Sequence, residues 1–172
     1  MPRLILLNGP PGVGKSTLAR RFADDHPLTL VLDIDIVRSL LGATDDITAS
    51  WLAARALALA MGERHLRDGH DVVVPQYLGR PEFIDQLRSA VSATESTFTH
   101  VVLLIDAQVG EARFVERGDV PQLVGADETY PEMHGRLDSL RPSLAGVVTV
   151  DATGDVDATY RRLCEAVADT AR

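Results

Sequence analysis

Lysine is nearly missing from this chain of 172 residues: Lys15 is the only one, and it falls inside a glycine-rich stretch. Arginine supplies the other basic side chains, no Lys/Arg-rich run occurs, and the formal net charge is −8. Nucleic-acid partners usually meet a basic face, so this balance argues against one. Cysteine is as scarce. Cys164 alone excludes an internal disulfide framework and gives no sign of an oxidising compartment. It sits in an amphipathic run, Tyr160-Arg-Arg-Leu-Cys, and reads as a structural thiol. No apolar stretch reaches about 18 residues without a charge, so no membrane span is expected. The short apolar run after Met1-Pro-Arg is too brief for a signal h-region. The five histidines show no metal-ligand spacing. A cytoplasmic protein is the expectation.

What remains is an ordinary apolar content of 45%, arranged as alternating strand-like and helix-like runs. The length suits a single domain over residues 1–172. Strands are expected at 3–8, 29–33, 71–76, 99–106 and 147–151. Helices are expected at 15–24, 49–68, 81–92, 109–117, 128–140 and 155–171. Near-continuous apolar runs such as Val101-Val-Leu-Leu-Ile fit strands buried on both faces. This predicts an α/β fold with a mainly parallel five-stranded sheet flanked by helices in three layers. Residues 118–130 carry Gly, Pro and Asp with little periodicity, and a lid is expected over about 113–130.

The strongest signal is Gly9-Pro10-Pro11-Gly12-Val13-Gly14-Lys15-Ser16-Thr17, a full match to G-x-x-x-x-G-K-[ST]. An apolar strand precedes it and a helix-forming run follows, the setting a phosphate-binding P-loop needs. Glycines let the backbone approach phosphate oxygens, and the loop amides and helix start then face the anion. Lys15 is expected on the β- and γ-phosphates and the Ser16 hydroxyl on Mg²⁺. The motif implies a nucleoside triphosphate such as ATP. The N-K-x-D motif of GTPases is absent.

Leu32-Asp33-Ile-Asp35-Ile-Val-Arg38 follows the second strand. If both aspartates stayed in the strand they would share a face, near the phosphates at its carboxyl end. A kinase needs a carboxylate to accept the proton of the attacking hydroxyl, and Asp35 is the candidate. Asp33 is the candidate to hold Mg²⁺ through water. Arg38, three residues on, would project beside Asp35 towards the acceptor. A competing reading, in which Asp35 only caps a helix over 36–41, stays open.

Together the loop and Asp35-x-x-Arg38 resemble the small P-loop kinases grouped around the polynucleotide 5′-kinase domain, chloramphenicol phosphotransferase and zeta toxin. Asp33-x-Asp35 is similar to shikimate and gluconate kinases. The resemblance implies ATP and Mg²⁺ as cofactors and Asp35 as general base. It also implies Arg38 on the acceptor, as in the polynucleotide kinases. The third strand departs from the family: it ends in Gln76, where an acidic residue is frequent, so any further metal ligand falls to Asp33, or to Asp106, which reads better as a helix cap. Arg113 and Arg117 lie four residues apart and resemble the arginines of a kinase lid, expected to steady the transferring phosphoryl group.

Gln76 and Tyr77 are expected to line the acceptor pocket, with Trp51 and Arg80 as weaker candidates. By analogy with small kinases, Thr153-Gly154 would cradle adenine. The leading expectation is transfer of the γ-phosphate to a hydroxyl of a small molecule: a metabolite, nucleoside, sugar or antibiotic. The alternatives are a 5′-hydroxyl of nucleic acid, or a nucleotide-binding regulatory module that transfers nothing.

Overall fold

In β1 (Arg3–Asn8) successive side chains enter different cores, as strand geometry requires. Leu4 and Leu6 pack on one face of the sheet with Leu32, Ala54, Val72 and Leu87. Ile5 and Leu7 pack on the other with Leu18, Phe22, Val101 and Leu163. A strand apolar on both faces must be covered on both, and helices do so. The computed structural model describes residues 1–116 and 128–170.

The other strands are β2 (Leu30–Val31), β3 (Val72–Pro75), β4 (Thr97–Leu104) and β5 (Val147–Asp151). They form one sheet in the order β2-β3-β1-β4-β5, and every pairing is parallel. The helices are α1 (Lys15–Asp25), α2 (Ile34–Ser39), α3 (Ile47–Arg67), α4 (Pro81–Ser92), α5 (Ala107–Glu116), α6 (Tyr130–Leu140) and α7 (Val156–Asp169). α2, α3 and α4 contribute Val37, Ala58 and Ile84 to the first core, while α1 and α7 contribute Ala19 and Val167 to the second. α6 closes a smaller cluster of Met133 and Leu137 with Tyr77 and Val102.

β1 is central, and the chain leaves it for β2 on one side before β3 and β4 come to lie against it. A cleft at the carboxyl ends of the strands, where the winding reverses, is the usual ligand site of such sheets. α3 stops as the sequence suggests: Gly69 takes φ +90°, a left-handed value that a side chain would resist.

The second strand is shorter than its apolar run. It ends at Val31, and neither Asp33 nor Asp35 belongs to it. The shared-face argument for the two aspartates therefore fails, and their placement has another cause. Asp33 is the N-cap of α2, its carboxylate accepting the Asp35 amide at 3.0 Å. Asp35 lies inside the first turn and is not the cap. Asp106 behaves as a cap, its Oδ1 accepting from the amides of Gln108 at 2.9 Å and Val109 at 3.2 Å.

Candidate active site

The glycines of the loop between β1 and α1 have separate duties. Gly12 and Gly14 adopt φ +78° and +96°. A Cβ at Gly12 would also come within 3.1 Å of the Phe114 amide nitrogen and 3.2 Å of the Gly110 carbonyl oxygen. The loop is thus packed against α5 at Gly12. Gly14 is the N-cap of α1, whose first turn holds no acidic residue, so the positive helix end is left to an external anion. The Lys15 ammonium donates to the carbonyl oxygens of Gly9 at 2.8 Å and Pro10 at 2.9 Å, which holds it along the loop.

The Ser16 hydroxyl lies 3.5 Å from Asp33 Oδ2. With its other oxygen fixed by the Asp35 amide, Asp33 has one oxygen for the helix and one for the loop. A hydroxyl beside a carboxylate at the mouth of a phosphate loop is the oxygen donor set a hard cation such as Mg²⁺ takes, so these residues fit that ion. No group of three or more His, Cys, Asp or Glu suited to a metal occurs among the described residues.

Asp35 is raised from the ordinary carboxylate value to about 6. Burial is the main cause and the Asp33 charge adds to it, while Lys15, Arg38 and the Gln76 amide pull the other way. Its Oδ1 is buried and has no partner among the described residues, and the same holds for Gln76 Oε1. Asp35 and Arg38 line a cavity of about 240 Å³ with Ser39, Thr44 and Ser50. The Arg38 guanidinium lies over the Trp51 ring, 4.7 Å from its centroid. Trp51 therefore backs the arginine instead of offering a bare face to a ligand.

Tyr77, expected to line the acceptor pocket, packs against α6. It is buried with α6, donates to the Met133 carbonyl at 3.1 Å, and burial pushes its phenol up to about 12. Arg80 occupies the N-cap position of α4. Arg113 lines a different cavity from Asp35. Its guanidinium donates to the carbonyls of Ala152 at 3.3 Å, Thr153 at 3.2 Å and Gly154 at 3.3 Å. It lines a second cavity, of about 580 Å³, with Gly12, Thr17, Gly154 and Thr159. Arg117 and most of the expected lid fall within 117–127 and lie outside the described residues.

Sequence reasoning missed Asn8. It is fully buried and hydrogen-bonded to both Gly9 and Leu78. A polar residue ending an otherwise apolar strand, directly before a glycine loop, was the available signal.

Sheet order, loop and flanking helices define a P-loop protein with the fold of the small kinases. The AAA domain family AAA_33 matches residues 4–135, and the chain belongs to that family. Among curated relatives, the adenylate kinase of Synechococcus sp. (strain CC9902) is 26% identical over 192 aligned positions, covering 96% of this chain and 98% of that protein. The adenylate kinase of Deinococcus radiodurans is 28% identical over 186, covering 94% of each. Among solved structures, a gluconokinase from Sinorhizobium meliloti 1021 superposes with a TM-score of 0.64 at 20% identity, covering 98% of this chain and 93% of that one. The Deinococcus radiodurans tunicamycin resistance protein gives 0.69 at 19% identity, covering 99% and 96%. These two likenesses are of fold.

Proposed function

We propose that the chain is an ATP-dependent phosphotransferase that moves the γ-phosphate onto a hydroxyl of a small molecule held between Asp35 and Arg38. One observation carries this reading: a carboxyl group raised to about 6 lines a cavity beside the loop lysine. A group of that pKa is mostly ionised at neutral pH and still basic enough to take a proton.

The roles follow from position. Residues Gly9, Pro10, Pro11, Gly12, Val13 and Gly14 wrap the phosphates with Lys15, Ser16 and Thr17. Lys15 places its charge on the β- and γ-phosphates. Ser16 and Asp33 are the side chains suited to Mg²⁺, which when bound offsets phosphate charge. The base enters the cavity beside Arg113 and the Thr153-Gly154 turn.

In the transfer, a bond forms between the acceptor oxygen and the γ-phosphorus, and the bond from that phosphorus to the oxygen of ADP breaks. The hydroxyl proton passes to Asp35. Arg38 orients the acceptor, steadied by Trp51. Gln76 keeps the Asp35 carboxylate turned and charged without adding a second negative group. A neutral amide at this place is compatible with transfer and does not mark its loss.

The relatives named adenylate kinase favour a second reading, with an anionic acceptor. The cavity counts against it, because its lining offers one guanidinium, Arg38, alongside the Asp35 carboxyl. Incubating the chain with Mg-ATP, a panel of hydroxyl compounds and AMP, and following ADP, separates the two. A hydroxyl compound should stimulate ADP formation, and Asp35→Asn should remove that stimulation by a factor of about 10²–10⁴. Stimulation by AMP alone, unchanged in Asp35→Asn, would replace the hydroxyl reading.

A further inference from the structure

We infer that Asn8 is a positioning residue that couples the phosphate loop to the segment carrying Gln76. The side chain is fully buried at the end of β1. Its Oδ1 accepts from the Gly9 amide at 2.9 Å and from the Leu78 amide at 2.9 Å. Its Nδ2 donates to the Leu78 carbonyl at 3.0 Å. A carboxamide facing both the N–H and the C=O of one residue pairs with it as a neighbouring strand would, and only one orientation of the amide satisfies both bonds.

The main-chain pairing of β1 and β3 runs to Leu7 and Pro75, and the Gln76 amide donates to the Leu7 carbonyl at 3.1 Å. Beyond that point β1 turns away into the loop. The Asn8 side chain takes over the pairing two residues further, so Gln76 is held between a backbone bond and the Leu78 clamp. Gln76 is itself buried, and its Oε1 has no partner among the described residues.

Gly9 joins this clamp to the nucleotide side. Its N–H is given to Asn8 and its C=O receives the Lys15 ammonium at 2.8 Å. A phosphate drawing on Lys15 changes the bonding on one side of the Gly9 Cα while Asn8 holds the other. Lys15, Gly9, Asn8 and Leu78 therefore form one contiguous hydrogen-bonded route from the loop to the segment that carries Gln76 two residues earlier. The inference rests on the proposed use of residues 9–17 for phosphate, and coupling itself needs direct measurement.

Amide hydrogen exchange of the full chain, with and without a non-hydrolysable ATP analogue and Mg²⁺, provides it without needing the acceptor. In the unsubstituted chain the analogue should slow exchange in residues 9–17 and, by about fivefold or more, in residues 76–80. In Asn8→Ala the analogue should still protect residues 9–17 while its effect on 76–80 disappears. Circular dichroism identifies an unfolded Asn8→Ala chain. In that case Asn8→Ser, which shortens the side chain and removes the donor and acceptor that face Leu78, replaces it with the same two outcomes. Equal slowing at 76–80 in the variant overturns the coupling, as does protection confined to 9–17 in the unsubstituted chain. Protection of neither segment overturns the phosphate reading as well.

Discussion

Asp33 Oδ2 stands 3.5 Å from the hydroxyl of Ser16, while Oδ1 of the same carboxylate caps α2. The cap fixes the direction in which the second oxygen points, so a local helix signal doubles as the placement of a metal-side carboxylate. Asp33→Asn keeps the cap and removes the charge. It should leave the fold intact and raise the Mg²⁺ concentration for half-maximal nucleotide binding by about tenfold or more. Titration of Mg²⁺ at fixed nucleotide analogue checks this. An unchanged midpoint would remove Asp33 from the metal side.

The pH dependence follows from Asp35. Its pKa is raised to about 6, and the base is competent only when ionised. The logarithm of kcat/KM should therefore bend near pH 6 and fall about tenfold per unit below it. The stability sign is the opposite. The fold disfavours the charged carboxylate, so Asp35 costs stability as pH rises from its unfolded value towards 6 and above. Asp35→Asn should then be inactive and melt higher than the original chain at pH 7. A lower melting temperature in that variant would show that the carboxylate is better stabilised than burial implies.

Arg38 and Trp51 act as a pair across 4.7 Å. Arg38→Ala should raise the acceptor KM by about tenfold or more and leave the ATP KM nearly unchanged, since the arginine lines the proposed acceptor cavity. Trp51→Leu should produce a smaller change in the same direction, of a few fold, because it removes only the stacking that steadies the guanidinium. Steady-state kinetics with the acceptor identified by the ADP screen reads both.

Arg113 tests where the lid arginine works. Its three carbonyl partners, at Ala152, Thr153 and Gly154, tie it to the base side. Arg113→Ala should raise the nucleotide KM by about tenfold with a smaller change in kcat. A fall in kcat of a hundredfold at constant KM would instead put its guanidinium on the transferring phosphoryl group.

The parts of this fold legible in the sequence are those where one physical demand acts alone. Val72-Val-Val and Val101-Val-Leu-Leu are apolar on both faces and can only be central strands. Gly12 and Gly14 are required by left-handed backbone, and Gly69 by the exit from α3. Legibility fails where two demands compete. The apolar run before Asp33 reads as a longer strand; the backbone stays extended to Asp33, but β2 ends at Val31 and the Asp33 carboxylate starts α2. Tyr77 follows a strand whose end faces the site, yet the sequence says nothing of the α6 core that takes its ring. Asn8 was overlooked because its partner Leu78 lies 70 residues away in the chain.

The most direct test is ³¹P NMR of the chain turning over Mg-ATP with the acceptor found in the screen, run beside Asp35→Asn. A new phosphomonoester resonance should grow in step with ADP, and it should be lost in Asp35→Asn while that variant binds the ATP analogue within about threefold of the original. ADP accompanied only by inorganic phosphate, or a phosphomonoester formed at an equal rate in Asp35→Asn, would contradict the proposal of hydroxyl transfer at this carboxylate.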